Sequence, residues 1–495
     1  MSVLWDALNN IDNLTMFLLI LSLGIALFYE MINGFHDTAN AVAMIIYTNS
    51  MKAGYSVIMA GIMNFLGVVL GGIGVAYVIV HLLPLDIMVS SNQSATLVMI
   101  FSLLISAVVW NLGTWYVGLP VSSSHSLIGS LIGVSVAFGM LNGFSFSQSV
   151  NWKVVYGILT LLAVSPLFGF GLAFILMKIS RKFVKHPKYF KTPRPDGKKK
   201  PNFWMRTGII ATGAGVSFAH GSNDGQKGIG LIMIILIGIL PSYYALNMDA
   251  HQYKIMQIRD SASNLARFYQ DNNETITKLL EENKLKSALK IENNISECDV
   301  KQVHKTTLEI SSKLDGLKSY SELSDANRWK IHTAVLCSNN FFEQLERAYK
   351  TIDNDKSGYI SDQRKHLITS TEYVPFWVII AVALMLGIGT MIGYKRVVHT
   401  IGEKIGSKPI NHMQGAVAQA MAMITILLAN FAHAPVSTTH IVSSSVAGTM
   451  VAEPDGGVQK KTINTILLAW LFTLPVTSLM GALIYIVLNY IVGLF

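Results

Sequence analysis

Two short patterns occur twice in this 495-residue chain. NGFHDTANAV at residues 33–42 lines up with HGSNDGQKGI at 220–229, placing Gly34 over Gly221 and Asp37 over Asp224 at an offset of 187. PVSSSHSLIGSLIG at 120–133 lines up with PVSTTHIVSSSVAG at 435–448, an offset of 315. A proline at a helix start followed by hydroxyl residues exposes unpaired backbone N–H groups at the positive end of the helix dipole, and the hydroxyls add donors. Ser122, Ser123 and Ser124, with Ser437, Thr438 and Thr439, therefore read as two anion cradles able to approach one tetrahedral oxyanion from two sides. Packing by small hydroxyl residues is the competing explanation, and it suits a single triplet better than a matched pair.

Two aspartates beside an anion cradle make sense only if a cation is included. Asp37 and Asp224, with the amides of Asn40 and Asn223, offer hard oxygen ligands suited to a proton, an alkali ion or a hydrated divalent metal such as Mg, Ca, Zn or Mn. Neutralising the anion is also what makes its passage through a low dielectric feasible. A hydrolase built on Ser124 and His125 fails on geometry, because neighbours on a helix point about 100° apart.

These residues must be positioned in a membrane. The chain is 51% hydrophobic and 14% charged, with positive mean hydropathy. Apolar runs long enough to cross about 30 Å of hydrocarbon lie near 14–36, 54–80, 95–117, 153–179, 374–394, 413–434 and 463–493. Interrupted ones lie at 120–141, 207–245 and 436–451, making about ten crossings in an all-α, multi-pass membrane protein. The first run is too long for a cleavable signal and is expected to stay as a helix. Glu30, His36, Asp37, His125, His220, Asp224, Lys227, His433 and His440 all fall within or beside these runs, where ionisable groups are costly and mark a site. The polar stretch at 33–41 is expected to break its helix, which is tolerable where freed backbone lines a protected cavity.

Charge supplies the orientation. Eleven of the basic residues cluster between Lys178 and Arg206, the mark of a cytoplasmic loop at 180–206. The excess of +9 resides in the membrane portion, because residues 247–373 balance 18 basic against 19 acidic residues; nucleic-acid binding is therefore not implied. Five crossings precede the loop and five follow. A five-crossing unit reappears upside down, the inverted architecture of secondary carriers, with the site where the copies meet and broken or re-entrant helices around it. The first repeat is 14–179 and the second 207–246 with 374–495. The two offsets differ by 128 residues, almost the 127 of segment 247–373, which is thus an insertion in the second copy. That hydrophilic segment reads as polar helices on the periplasmic side, where Cys298 and Cys337 could pair. DNDKSGYISDQR at 353–364 imitates a calcium loop, but Arg364 stands where a bidentate Glu is needed, so a solvated turn is expected.

The duplicated signatures resemble those of the inorganic phosphate transporter (PiT) family, and within it the bacterial low-affinity PitA-type carriers. Gly34 to Ala41 matches the family's G-x-N-D-x-x-N-A pattern, Gly221 to Gly228 matches it more loosely, and both P-V-S-[ST]-[ST]-H motifs are present. The resemblance implies phosphate held by the six hydroxyl residues, cation coupling through Asp37 and Asp224, and location in a bacterial inner membrane. It implies no catalysis and no resident cofactor, and it is compatible with a homodimer. For PitA-type members it implies proton symport of a neutral divalent metal hydrogen phosphate, with arsenate as a mimic. This chain departs from the pattern at His36, which replaces an Asn, and at Lys227, which stands where the first copy has Asn40. Asn64 and Gln419 stand where sodium-coupled relatives carry glutamates, which favours protons over sodium, and Glu30 is a candidate proton carrier seven residues before Asp37. Sodium coupling, a different oxyanion and an anion channel are the alternatives. Aspartate acceptors favour an anion with a proton to donate, such as hydrogen phosphate, over sulfate.

Overall fold

The computed structural model describes residues 2–83, 93–193, 200–281, 302–392, 405–454 and 456–493. Among them there are helices and no β-strand; an isolated bridge joins Gly406 and Val458. In chain order the described helices of more than four residues are α1 (Ser2–Asn10), α2 (Asn13–Tyr47), α3 (Ala53–Leu70), α4 (Gly74–Val80), α5 (Gln93–Val117), α6 (Ser123–Leu141), α7 (Trp152–Phe183) and α8 (Phe203–Ile239). There follow α9 (Gln252–Asp271), α10 (Asn273–Glu281), α11 (Val303–Leu314), α12 (Asp325–Tyr349), α13 (Asn354–Ile368), α14 (Phe376–Met391), α15 (His412–Phe431), α16 (Thr438–Ala452) and α17 (Lys460–Val492).

Seven of these, α2, α3, α5, α6, α7, α15 and α17, are long and apolar enough to cross a bilayer. The other three expected segments are helical too, but each falls short for its own reason. α14 has 16 residues and α16 has 15, whereas α8 has 37 and carries HGSNDGQK within its length. The chain is a multi-pass helical membrane protein.

One compact unit comprises residues 20–83, 97–233 and 376–495. In it α6 packs on α17, α16 on α7, α3 on α14, and α15 on both α16 and α7. Glycines let these helices approach closely. A Cβ on Gly34 would lie 2.4 Å from the Leu386 carbonyl oxygen, and one on Gly221 would lie 2.2 Å from that of Asn64. Both clashes are with backbone, which cannot swing aside as a side chain does. Gly221→Ala is expected to destabilise the unit by roughly 1–3 kcal/mol or more, seen as a lower thermal midpoint of the purified protein; an unchanged midpoint would refute so tight a crossing.

The expected break at 33–41 does not occur. α2 runs unbroken through it, as α8 runs through 220–228. Every residue from Ile32 to Ile45 is buried, and Asp37, Thr38 and Asn40 meet partners on neighbouring helices, so the backbone does not need to open. The interruptions lie elsewhere: at Gly71–Ile73 between α3 and α4, where Gly72 has φ +82°, and ahead of α6 and α16.

The second unit comprises residues 1–19, 84–96 and 234–375. Its core gathers Ile255, Leu265, Val335, Phe341, Phe342 and Leu345 from the apolar faces of α9 and α12. Arg328 is held by carbonyls of Tyr320, Ser321 and Ser242. Residues 353–364 form no turn: Asp353 caps α13 by accepting from the Lys356 amide, and Arg364 pairs with Glu346 at 3.0 Å. Cys337 is buried and disulfide-bonded, while Cys298 lies outside the described residues. Burial pushes the Glu372 carboxyl up to about 7, against the pull of Arg364 and with a push from Glu343. A carboxyl raised in the fold contributes stability that is fully present below its ordinary value near 4.5 and is lost as pH rises through about 7. Thermal unfolding of the full-length protein between pH 4.5 and 7.5 is expected to lose stability upward in wild type and to flatten in Glu372→Gln; parallel curves would refute the assignment.

Candidate functional site

The site is assembled from four helices of the membrane unit: α2 and α8, which carry the two signatures, and α6 and α16, which begin at the hydroxyl triplets. The approaches to α6 and α16 match in detail. Gly118 (φ +75°) and His433 (φ +52°) stand 315 residues apart in the same left-handed turn before each proline. Four residues later Ser122 and Ser437 act as N-caps with nearly identical backbone angles, −94°/115° and −95°/108°. Each accepts from the amide of the histidine three residues on, at 3.2 and 3.3 Å. Their oxygens close the helix start while each O–H stays available to donate, so both remain in the expected cradle with the second and third members of each triplet.

Those members meet the aspartates. Thr439 donates to Asp37 Oδ1 at 2.7 Å, and Thr438 Oγ1 lies 3.4 Å from both Asp37 Oδ2 and Asp224 Oδ2. The two carboxylates also share His220, whose Nε2 is 3.4 Å from Asp37 and 3.3 Å from Asp224. One ligand atom from each of Asp37, His220 and Asp224 lies within 4.8 Å of the other two, and all three residues are buried. This trio fits a divalent cation as two carboxylate oxygens and one imidazole nitrogen.

A relay outside the trio sets the imidazole. Thr390 donates to the Leu386 carbonyl at 2.7 Å and so accepts from Asn64 Nδ2, also at 2.7 Å. Asn64 therefore turns its oxygen toward His220 Nδ1, 3.0 Å away, which must carry a proton. His220 Nε2 is left facing the carboxylates, either with a second proton that bridges them or with a lone pair for a metal. His220 was absent from the expected ligand set, although it stands one helical turn before Asp224.

The signatures then cross over. Asn40 of the first copy donates to Thr439 of the second at 3.0 Å, leaving its own Oδ1 without a partner. Lys227, its counterpart in the second copy, donates to Ser124 of the first at 2.5 Å. Lys227 also donates to Asp224 at 2.5 Å and to the Val436 carbonyl at 2.6 Å. With His220 neutral, two carboxylates and one ammonium leave a buried surplus of one negative charge, which a cation would offset.

Other expected residues lie nearby in different roles. Asn223 braces the approach to α16, donating to the Ala434 carbonyl and to Asn430 and accepting from the Val436 amide. Gln419 donates to the Ala41 carbonyl at 2.7 Å, tying α15 to α2. His36 Nδ1 is 3.4 Å from Asp37. Glu30 is fully buried with no hydrogen-bond partner for either oxygen, and it sits against Gly228, beside Lys227. The rings of His125 and His440 are tilted by 37° with centroids 4.6 Å apart, and both line a separate cavity.

The chain is similar to known carriers over nearly its whole length. The sequence profile of the phosphate transporter family matches residues 33–481. The low-affinity inorganic phosphate transporters PitB and PitA of Escherichia coli (strain K12) are each 42% identical to it. The alignments cover 97% of this chain and 99% of PitB, and 96% and 97% for PitA. A probable low-affinity inorganic phosphate transporter of Bacillus subtilis (strain 168) is 28% identical, covering 94% of this chain and 96% of that protein. A solved structure described as the sodium-dependent phosphate transporter shares the fold, with a TM-score of 0.53 at 20% identity over 96% of this chain and all of that one. With duplicated signatures that meet in one buried cluster, and a family match spanning both copies, the chain belongs to the phosphate transporter family.

Proposed function

We propose that this chain is a low-affinity carrier of inorganic phosphate in a bacterial inner membrane, moving phosphate as a divalent metal hydrogen phosphate together with protons. Its similarity to PitA and PitB supports phosphate as the substrate. The observation that carries the finer statement is the contact of the Asp37–His220–Asp224 trio with Thr438, Thr439 and, through Lys227, Ser124. The metal is cargo in this scheme. It would take the carboxylate oxygens and His220 Nε2, while phosphate oxygens accept from Ser123, Ser124, Thr438, Thr439 and Lys227. The proton of hydrogen phosphate finds acceptors in the aspartates, a bond that sulfate cannot make. Metal and dianion together add no net charge, which keeps the desolvation penalty of passage low.

The matched caps at Ser122 and Ser437, and the reciprocal contacts Asn40–Thr439 and Lys227–Ser124, support two inverted copies that alternate access around the cluster. Sodium coupling is the second reading, favoured by the description of the solved structural relative. Against it, Asn64 is engaged by His220 and Thr390, and Gln419 by Ala41. Glu30, buried and unpartnered beside the second signature, is the proton carrier we propose. The basic cluster at 178–206 supports a cytoplasmic side there and a periplasmic insertion. Phosphate uptake into proteoliposomes is expected to require an inward proton gradient and magnesium, and to be competed by arsenate but not by sulfate. Uptake indifferent to both pH gradient and magnesium would refute the coupling, and uptake driven by sodium alone would replace protons with sodium.

A further inference from the structure

Residues 178–206 carry eleven basic residues against one acidic, Asp196. Charge alone orients a membrane chain, and a loose loop would serve that purpose as well. This stretch is instead fastened to the helix ends. Arg181, in the last turn of α7, donates from Nε to Glu453 at 2.9 Å, and its guanidinium lies over the Phe190 ring, 4.1 Å from the centroid. Phe190 closes a short helical turn, Pro187–Phe190, and with Tyr189 it packs against the cluster of Met177, Met413 and Val417. Tyr189 Oη accepts from Asn202 at 3.1 Å, tying the first part of the stretch to the start of α8. Glu453 neutralises Arg181, whereas Lys182, Lys185, Lys188 and Lys191 are all exposed and make no ion pair among the described residues. Four ammonium groups are thus held on a fixed turn without a counter-charge, an arrangement that attracts an anion.

The surroundings say which anion. Ile175, Ile179 and Phe183, four residues apart and so on one face of α7, are 55%, 46% and 72% exposed. Phe203 and Trp204 at the start of α8 are exposed as well. Because α7 is long and apolar enough to cross a bilayer, that face meets acyl chains, while its last turn and the lysines beyond it meet headgroups. Exposed aromatic rings belong at the same level. We propose that this fastened turn binds an anionic phospholipid, with Lys182, Lys185, Lys188 and Lys191 taking its phosphate and the Ile175–Ile179–Phe183 face its acyl chains. A zwitterionic phospholipid would bring an ammonium of its own to the lysines. A soluble polyphosphate would use the charge and leave the apolar face and the rings without a partner. The binding does not depend on phosphate transport, since none of the four lysines touches the buried cluster.

Full-length protein in a neutral detergent would be titrated with dioleoylphosphatidylglycerol and followed by native mass spectrometry. Saturable adducts are expected, at lipid concentrations at least about tenfold below those that dioleoylphosphatidylcholine requires. Lys182→Gln, Lys185→Gln, Lys188→Gln and Lys191→Gln combined should weaken the phosphatidylglycerol adduct at least about tenfold, each basic residue near an anionic headgroup being worth up to about fivefold. Lys153→Gln removes an exposed lysine from the opposite end of α7 and should change nothing. Phe190→Ala keeps every charge but unfastens the turn, and should weaken the adduct roughly threefold or more. Equal adducts with phosphatidylcholine would overturn the proposal, as would wild-type binding by the four-lysine variant or by Phe190→Ala. So would a loss in Lys153→Gln as large as that in the four-lysine variant, or displacement of the lipid by an equimolar amount of tripolyphosphate.

Discussion

Asp37→Asn and Asp224→Asn should each abolish phosphate uptake while leaving the protein in the membrane. Asparagine keeps the shape of aspartate, so Thr439 and Thr438 can still reach an oxygen at either position. It lacks the charge, however, and the trio that His220 completes loses one of its two anionic ligands. Removing one member of a buried charged set costs about 3–5 kcal/mol, which corresponds to a fall in uptake on the order of 10²- to 10³-fold. The two variants should differ in yield. Asp37 has only histidines and threonines as partners, whereas Asp224 also neutralises the buried Lys227. Asp224→Asn therefore leaves an ammonium without its counter-charge and should reduce the amount of folded protein, and adding Lys227→Met should restore folding but not uptake. Robust uptake by either single variant, measured per folded molecule in proteoliposomes, would refute the assigned role.

Much of the cluster is written in the sequence because duplication exposes it. Asp37 and Asp224, or Thr439 and Ser124, could be matched by offset alone, and an anion cradle beside carboxylates already demands a cation. What sequence cannot supply is the partner of each side chain, since those partners lie far away along the chain. Thr439 and Asp37 are 402 residues apart, and Lys227 and Ser124 are 103 apart. This is why sequence does not reveal that Asn223 holds the approach to α16 or that Ser122 and Ser437 cap α6 and α16. His220 is the converse case: its role emerges only when Asn64 and Thr390 fix its protonated nitrogen.

The same distance explains the helix that did not break. Read alone, NGFHDTANA places five polar residues in a greasy run, and an isolated segment would have to open or find water. In the fold, Thr38 returns a bond to the Gly34 carbonyl while Asn40 and Asp37 find Thr439. The interruptions fall instead at Gly72, Gly118 and His433, residues in left-handed turns, where Gln226 bonds the backbone at Gly71 and Val75 and Asn223 bonds that at Ala434 and Val436. A membrane helix can thus carry polar residues unbroken when a neighbouring helix start offers hydroxyls at the same depth.

Lys227→Met is expected to weaken phosphate transport and strengthen metal dependence at once. The ammonium is the one fixed positive charge in contact with the described cluster, and its three bonds join Asp224 on α8, Ser124 on α6 and the Val436 carbonyl ahead of α16. Methionine fills the stem's volume without making any of them. Loss of that charge leaves two carboxylates with no fixed counter-charge, so an incoming anion meets a more negative chamber while a divalent cation meets a more attractive one. The KM for phosphate should rise on the order of 10²-fold, using the lower end of the 3–5 kcal/mol for a broken buried pair, and the magnesium concentration for half-maximal uptake should fall. Lys227→Arg should not rescue, because a planar fork cannot reproduce three bonds from one nitrogen in a site that is 3% exposed. A purely structural lysine would lower uptake without moving the two constants in opposite directions, and that outcome would remove Lys227 from the substrate's path.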